Sequence, residues 1–383
     1  MKNKFLFILP FLAISLCGCN DNESSSSNTD NITIVDGIGR EISVKKGSYN
    51  RVLCIGAGAL RLYSYVGDAT KLCAVEDIDN VSAEGRPMMF DNVARPYFIA
   101  YKDVFNGLPT CGKGGPNAQI IETEKILMAN PDIIISEYED TDKATSLEQQ
   151  VGVPVVTVCY GSKGVFDEKI KNSLSILGTI FDKEERSNTI INFIESEKNE
   201  ISNRTLNIKD DEKKNVYICG LGNYGTTNHL MTAQNYEPFN VAHIDNVIND
   251  LPTNGIQKIT DEKFVSVGEK TDVLIIDAAA MKNIIPLYKE NNDMFSSFKA
   301  FKNGEVYLQM AYNAYYTNVE IALANTWYNA KVTYPSRFAD INIDDKLSEI
   351  TKTFLTKDLT SEIYEQKFSY GGYQKINVNE FFK

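Results

Sequence analysis

The chain has 383 residues, of which 39 are lysine or arginine and 51 are aspartate or glutamate, so its formal net charge is −12 at pH 7. This acidic balance argues against nucleic acid as a partner, because binding to phosphate backbones requires clustered positive charge. With 43% hydrophobic residues the chain can bury a substantial core, and its length suits two domains or lobes.

The amino-terminal residues have the pattern of an export signal. A basic start at residues 1–4 precedes an apolar run at residues 5–16, which is too short for a bilayer-spanning helix. The following Cys17-Gly18-Cys19 resembles the lipobox of bacterial lipoproteins. We therefore predict that residues 1–18 are a cleaved signal peptide and that Cys19 carries the lipid, whose several acyl chains would anchor the protein lastingly. The alternative is a short anchor that stays uncleaved.

The residues that follow Cys19 are predicted to form a flexible tether. Residues 20–30 are polar and include four consecutive serines, so they offer no apolar surface that could offset the entropy cost of ordering. Residues 19–31 thus form the lipidated cysteine and its linker. At about 5–6 Å times the square root of its length, this linker holds the rest of the protein within roughly 20 Å of the membrane.

Short apolar runs alternate with helical periods in residues 32–165, the predicted amino-terminal lobe. A hairpin is expected across residues 32–44, with its turn at Asp36-Gly37. The predicted strands are residues 51–55, 71–75, 131–136 and 154–159, and the predicted helices are residues 59–66 and 121–130. This alternation indicates an α/β lobe with a parallel sheet.

Helical spacing continues through residues 166–207. The apolar positions that keep this spacing are Ile170, Leu174, Leu177, Phe181, Ile190, Ile191, Ile194 and Ile201. Asp182 can cap a second stretch, with Glu185 three residues later. We predict one long, nearly continuous helical connector, which would limit hinge motion between the parts that it joins.

Residues 208–383 repeat the α/β theme. Strands are predicted at residues 215–219, 272–277 and 305–309, with helices near residues 260–268, 319–332, 344–356 and 361–368. The whole pattern predicts an α/β protein with two Rossmann-like lobes, each built on a mostly parallel sheet, joined by the single helical connector. A ligand would lie between the lobes.

Two glycine-rich segments follow predicted strands. Residues 220–225 spell a complete GxGxxG, and Gly56-Ala57-Gly58 follows the first strand of the amino-terminal lobe. In a cytoplasmic enzyme these would indicate a dinucleotide site, but an exported protein meets little NAD or ATP. Glycines at strand ends also let the backbone approach a ligand, or simply form tight turns. The sequence has no GxSxG, HExxH or P-loop motif, so no enzyme is predicted.

The cysteines and histidines offer little for metal binding. Five cysteines follow Cys19, an odd number that cannot pair completely within the chain: Cys54, Cys73, Cys111, Cys159 and Cys219. Several of them end apolar runs, which favours buried thiols over disulfides. The two histidines, His229 and His243, belong to no metal-binding pattern, and we predict neither a metal site nor a cofactor.

Several segments, taken together and in order, resemble a known family. They are residues 33–42, 51–56, 108–112, 124–135 and 303–307, behind the lipobox. This combination resembles the extracytoplasmic solute-binding lipoproteins of ABC importers for ferric siderophores, haem and cobalamin, the class III periplasmic binding proteins. The resemblance implies two lobes bridged by one helix, a shallow cleft, and delivery of the ligand to a permease with its cytoplasmic ATPase.

The resemblance also assigns a docking role to one surface glutamate in each lobe. Glu124 and Glu262 stand at the matching positions, each followed by a lysine and leading into a strand. They would pair with arginines of the permease and set the register of docking. The alternative is that each is a solvated residue that complements the helix dipole.

The ligand implied by the resemblance is an iron chelate, haem or corrinoid. Such a ligand needs aromatic faces and a few cations or donors. The candidates are Arg61, Arg86, Arg95, Tyr97, Tyr160, Tyr224, Tyr312, Tyr315 and Tyr316. Arg86 and Arg95 could instead brace their loop, and each tyrosine could serve in packing.

The predicted function is therefore that of a monomeric, lipid-anchored binding protein on the outer face of the bacterial cytoplasmic membrane. The alternatives that the sequence leaves open are a binding protein for a small oxyanion, and an extracytoplasmic enzyme or sensor lipoprotein on the same scaffold.

Overall fold

The computed structural model describes residues 31–91, 93–115, 118, 121–222 and 226–382. The predicted leader, Cys19, the tether up to residue 30 and Tyr224 lie outside these residues. The described chain begins with a hairpin of β1 (Asn31–Val35) and β2 (Glu41–Lys45), paired antiparallel. Asp36 fixes the turn, because its carboxylate accepts hydrogen bonds from the backbone N–H groups of Ile38 and Arg40.

The amino-terminal lobe contains a four-stranded parallel sheet. Its strands are β3 (Val52–Ile55), β4 (Leu72–Ala74), β5 (Ile133–Ser136) and β6 (Val155–Thr157), in the order β4-β3-β5-β6. Its helices are α1 (Ala59–Val66), α2 (Pro96–Asn106), α3 (Thr123–Ala129) and α4 (Thr141–Val151). Every residue of the four strands is buried, as expected for a parallel sheet covered on both faces.

The nearly continuous helical connector consists of two consecutive helices. It comprises α5 (Glu168–Ile180) and α6 (Glu184–Thr205), separated by a turn in which Asp182 has a left-handed φ of 56°. Phe181 follows the last residue of α5, and its ring packs edge-on against Tyr49 and Tyr63 of the amino-terminal lobe. The α5 helix therefore belongs with that lobe, and the 22-residue α6 forms the bridge.

The carboxy-terminal lobe has a second, mostly parallel sheet. Its strands are β7 (Asn215–Cys219), β8 (Met231–Thr232), β9 (Asp245–Asn246), β10 (Gln257–Lys258), β11 (Val273–Asp277), β12 (Val306–Gln309) and β13 (Gln374–Lys375). The main sheet has the order β13-β12-β11-β7-β9, with only β13 antiparallel to its neighbour, while β8 and β10 form a separate antiparallel pair. The predicted architecture of two α/β lobes is confirmed.

Nine helices complete the described part of this lobe. They are α7 (Glu237–Val241), α8 (Asp261–Gly268), α9 (Ala278–Glu290), α10 (Asn292–Ser296), α11 (Lys299–Asn303), α12 (Val319–Thr333), α13 (Ile343–Leu355), α14 (Thr360–Tyr364) and α15 (Val378–Phe381). Nearly all of α12 is buried, and its Trp327 donates a 2.6 Å hydrogen bond from Nε1 to Glu197 of α6. Lys346 of α13 pairs with the same carboxylate at 3.2 Å, so α6 is fixed to the carboxy-terminal lobe by charge as well as by packing.

The five cysteines after Cys19 are all buried and free, which confirms the prediction of buried thiols. Burial raises the pKa of each thiol, so none is poised to react as a thiolate. Among the described helices, none combines the length and the apolar character needed to cross a bilayer.

Candidate ligand-binding cleft

A cavity of about 170 Å³ lies between the two lobes, close to the carboxyl ends of both sheets. The amino-terminal lobe contributes residues 160–165, which follow β6. The carboxy-terminal lobe contributes Ala233, Asn235, Tyr236, Glu237, Pro238, Asn254, Gly255, Ile256, Tyr312, Asn313, Thr317 and Ala322. We call this set the interlobe cleft. Its position agrees with the rule that open α/β sheets bind ligands beyond the carboxyl ends of their strands.

The loop on the amino-terminal side of the cleft is held by its own aspartate. Asp167 accepts hydrogen bonds from the backbone N–H groups of Ser162 and Lys163, at 2.8 and 3.0 Å. Gly161 has a φ of 74°, and the Asp167 carboxylate fills the space that a side chain there would need. The loop is therefore preformed, and the ammonium of Lys163 makes no ion pair with any described residue.

Three tyrosines give the cleft an aromatic lining. Tyr160 comes from the amino-terminal lobe, and Tyr236 and Tyr312 come from the other, with ring centroids 6.3 Å apart. Tyr316, which is 37% exposed, packs its ring 4.4 Å from that of Tyr160 and so joins the two lobes at the surface. Burial raises the pKa of Tyr316 to about 12 and that of Tyr160 and Tyr312 above the usual value, so these hydroxyls are uncharged at neutral pH.

Arg61 lies beneath the cleft and not on its surface. Its side chain is 0% exposed, and its guanidinium donates to the carbonyl oxygens of Ala314 and Tyr315 and to the side chains of Asn318 and Tyr160. All three of its nitrogens are thus engaged by protein acceptors. It was predicted as a ligand residue, whereas the structure places it in contact with residues that line the cleft or lie next to them.

Tyr315 is also buried behind the cleft. Its hydroxyl donates to the carboxyl group of Glu76, across the lobe boundary. Glu76 accepts a second hydrogen bond, of 2.9 Å, from the backbone N–H of Gly56, at the first of the two glycine-rich segments. The glycines of that segment therefore serve close packing: a Cβ on Gly58 would lie 2.5 Å from the hydroxyl oxygen of Tyr160.

Arg86, Arg95 and Tyr97 are not brought to the cleft. Arg95 is 3% exposed and pairs with Asp79 at 2.7 Å, and Tyr97 donates to the same carboxylate. Arg86 makes two 2.8 Å hydrogen bonds to Asp91 within its own loop. Both arginines border a separate cavity of about 420 Å³ beside α2 and α14.

Three carboxyl groups outside the cleft lining have raised pKa values: Glu76 and Asp277 are buried, and Glu137 is half-buried. Burial raises the pKa of Glu76 and Glu137 to about 8 and that of Asp277 to about 7. Asp277 is held by Gln309, whose amide also contacts the hydroxyl of Tyr236. Within the ranges that the structure covers, no three His, Cys, Asp or Glu side chains are grouped so as to hold a metal ion.

Glu124 and Glu262 lie in the first turns of α3 and α8, and both are exposed. The lysine that follows each is already paired: Lys125 with Glu122 at 2.7 Å, and Lys263 with Asp250 at 2.6 Å. Neither glutamate forms an ion pair with a residue of the described chain. Two exposed carboxylates, one in each lobe, are therefore open to a cationic partner.

Sequence reasoning missed several cleft residues. Lys163 follows a predicted strand within Gly161-Ser162-Lys163-Gly164, a turn pattern that could have marked it. Tyr236, Asn235 and Asn254 lie in segments without a recognisable motif, and only the folded chain brings them to the cleft.

Comparisons with known proteins agree with this geometry. The periplasmic binding protein family matches residues 100–311, more than half of the chain. The molybdate-binding protein MolA of Haemophilus influenzae is 20% identical over 257 residues, which cover 61% of this chain and 70% of MolA.

Solved structures show the same fold. A periplasmic solute-binding protein from Veillonella parvula superimposes with a TM-score of 0.68, 18% identity and coverage of 92% of this chain and 98% of the other. The structure of MolA bound to molybdate superimposes with a TM-score of 0.63 and 16% identity, and the match covers 85% of this chain and 98% of MolA. The petrobactin-binding protein YclQ of Bacillus subtilis superimposes with a TM-score of 0.55 and 16% identity, and the match covers 80% of this chain and 99% of YclQ. The chain belongs to the periplasmic binding protein family, the solute-binding components of ABC importers.

Proposed function

We propose that this protein captures an iron chelate or a corrinoid in the interlobe cleft and delivers it to an ABC permease from a lipid anchor at Cys19. The observation that carries the proposal is the cleft itself, which both lobes build and which combines tyrosine rings, amides and the ammonium group of Lys163, unpaired among the described residues. The fold resemblance to a petrobactin-binding protein supports this cargo class.

The lining fits the chemistry of such a cargo. The half-buried ring of Tyr312 can contact a flat organic group, and Tyr160 and Tyr236 line the same cavity with only 2% and 3% of their surface exposed. The ammonium of Lys163 suits a carboxylate or catecholate oxygen, since charge-assisted hydrogen bonds are the strong ones. A volume of about 170 Å³ is below the range of about 300–1,000 Å³ usual for drug-sized ligands, so a chelate would keep part of its surface in the open mouth of the cleft.

A second candidate is a small oxyanion. The small volume favours it directly, and so does the similarity to a protein named for molybdate binding. Lys163 and the hydroxyls of Ser162 and Thr317 would supply its hydrogen bonds.

Binding titrations with purified protein distinguish the two candidates. The probes are ferric siderophores, haem, cobalamins and molybdate, and binding is followed by absorbance and calorimetry. Lys163→Met is the test variant. Lys302→Met, on the exposed face of α11, is the control. Micromolar or tighter binding of a chelate, weakened at least tenfold by the first variant alone, is expected. Binding of molybdate alone would establish the second candidate, and turnover of a bound compound would contradict both.

Docking is proposed to use Glu124 and Glu262. Because α3 leads into β5 and α8 into β11, each helix runs antiparallel to its strand, and its first turn lies at the level of the strand's carboxyl end. Both glutamates therefore lie at the level of the cleft, where a permease could contact both lobes and receive the ligand. Two fixed charges of this kind act on encounter and orientation.

The docking proposal is tested with the double variant Glu124→Ala/Glu262→Ala in cells and in nanodiscs that contain the permease. Ligand affinity should stay unchanged, while uptake and the stimulation of ATP hydrolysis fall. The double variant Glu185→Ala/Glu380→Ala removes the same charge elsewhere and is the control. An equal loss in the control, or loss of ligand binding in the test variant, would refute the assignment.

For the anchor, Cys19→Ala should move the protein from the membrane fraction to the soluble fraction.

A further inference from the structure

We infer that Arg61 and Tyr315 are positioning residues that fix the carboxy-terminal wall of the cleft against the amino-terminal lobe, so that the width of the cleft is set before a ligand arrives. This inference rests on the proposed role of the cleft as the ligand site. Neither residue touches the cavity. We call Arg61, Glu76, Tyr315 and Asn318 the interlobe network.

Arg61 makes most of the contacts in this network. It projects from α1, and its Nε lies 3.1 Å from Asn318 Oδ1, its Nη1 3.0 Å from the carbonyl oxygen of Tyr315, and its Nη2 2.7 Å from that of Ala314. These three acceptors belong to the carboxy-terminal lobe. The ring of Tyr97 lies under the guanidinium, 4.8 Å from its carbon, and completes its burial. Lysine cannot reproduce this planar fork of donors.

Asn318 extends the network to both ends of the loop at residues 312–318. Its Nδ2 lies 3.1 Å from the carbonyl oxygen of Tyr312 and 3.2 Å from that of Ala94 in the amino-terminal lobe. Arg61 holds the middle of the same loop, and the hydroxyl of Tyr315 reaches back to Glu76. The loop is therefore attached to the amino-terminal lobe at three points.

The backbone of this loop shows why it needs such support. Tyr315 and Tyr316 have φ values of 55° and 69°, a left-handed conformation that is unfavourable for residues other than glycine. Such residues persist where the surrounding structure determines them, and they concentrate at functional sites. The contacts from Arg61 and Glu76 provide that surrounding structure, and they hold the ring of Tyr316 against Tyr160.

The consequence concerns the side chains that line the cleft. Tyr312, Asn313 and Thr317 all come from the loop that the network holds. If the network is weakened, these three side chains lose their fixed distance from Tyr160 and Lys163 on the opposite wall. Ligand affinity then falls because the site is no longer preorganised, although every ligand-contacting residue is still present.

The test measures the lobe distance without ligand. Donor and acceptor dyes on Lys143→Cys and Lys289→Cys, one exposed position in each lobe, report the distance by single-molecule energy transfer, since the native described thiols are buried. The variants are Arg61→Lys and Tyr315→Phe, with Arg86→Lys as the control for loss of an arginine outside the network. We expect a single narrow distribution for the parent and the control, and a broader or displaced one for both variants.

Affinity for a ferric siderophore that binds the parent should fall at least fivefold in the same two variants, mainly through faster dissociation. If Arg61→Lys does not fold, Tyr315→Phe alone decides, because it removes one hydroxyl and keeps the ring. Unchanged distance distributions in a folded variant would overturn the inference. If no probe binds the parent protein, the proposed function fails, while the distance measurement still tests the network.

Discussion

A strong pH dependence of stability is expected from Glu76. This carboxyl group is 5% exposed, and burial raises its pKa from 4.5 to about 8, although the hydroxyl of Tyr315 and the backbone N–H of Gly56 both oppose the shift. The nearby acids Asp79 and Asp77 add to it. Near neutral pH the folded protein therefore keeps a proton on Glu76 that the unfolded chain has released.

The sign of the effect follows from proton linkage. Between pH 4.5 and about 8 the folded state binds more protons than the unfolded state, so the free energy of unfolding falls as the pH rises through this window. At 1.36 kcal/mol per pKa unit, the shift of this one group lowers stability by about 3.5 kcal/mol between pH 5 and pH 8. Glu76→Gln mimics the protonated carboxyl and should remove this part of the slope.

Urea unfolding curves of the parent and of Glu76→Gln, measured from pH 5 to pH 8.5, test this. The variant should become more stable relative to the parent as the pH rises, by about 3.8 kcal/mol over the range. Glu185→Gln on the exposed face of α6 is the control and should leave the slope unchanged. Parallel curves for the parent and Glu76→Gln would show that Glu76 is ionised in the folded protein and would refute the reasoning.

Three further predictions follow from buried contacts. Trp327→Phe removes the donor to Glu197 and should lower the free energy of unfolding by about 1–3 kcal/mol, measured by circular dichroism in urea. Gly58→Ala, with φ of 87° and a close approach to Tyr160, should destabilise the protein more than Gly39→Ala, with φ of 86° and no neighbour within 4 Å, and equal losses would exclude a steric contribution. Iodoacetamide should leave the five described thiols unmodified in the native protein and modify all of them in urea.

The central strands and several helices could be predicted closely from the sequence. Residues 215–219 and 59–66 are a strand and a helix with the same bounds as predicted, because short, mostly apolar segments that end at a glycine mark buried elements clearly. The connector was predicted as nearly continuous, with a second helical stretch from Asp182, and the structure shows α5 and α6 separated at residues 181–183. Apolar spacing continues across this turn, whereas the left-handed φ of Asp182 and the packing of Phe181 onto Tyr49 and Tyr63 are features of the folded chain.

Helices without a clear periodic signal were missed. The α9 helix carries Pro286 in its interior, which ordinarily argues against a helix. It forms because Asp277 caps it by accepting a hydrogen bond from the N–H of Ala279, and because its first four residues are buried against the sheet. Here the burial of apolar side chains stabilises a helix that the sequence around Pro286 does not favour.

The cleft was predicted less well than the fold. Tyr160 and Tyr312 line it as expected, but a position after a strand does not reveal the direction of a side chain. Arg61 follows a strand and was therefore expected to line the cleft, but in the folded protein it lies beneath it. The carbonyl groups that accept its hydrogen bonds are more than 250 residues away in the chain, so the sequence does not reveal them. Only the complete fold shows whether a guanidinium meets a protein carbonyl or a ligand.

Which charged residues hold the structure and which line the cleft determines what kind of ligand the cleft can recognise. Arg61 is used between the lobes, and Arg95 pairs with Asp79 away from the cleft. The charged side chains of the lining are Lys163 and Glu237, which have opposite signs. An electrically balanced cleft gains little from the overall charge of a ligand. Recognition must then depend on ring faces and individual hydrogen bonds, whose strength depends on geometry, and a wall held at a fixed distance by the interlobe network is what such recognition requires.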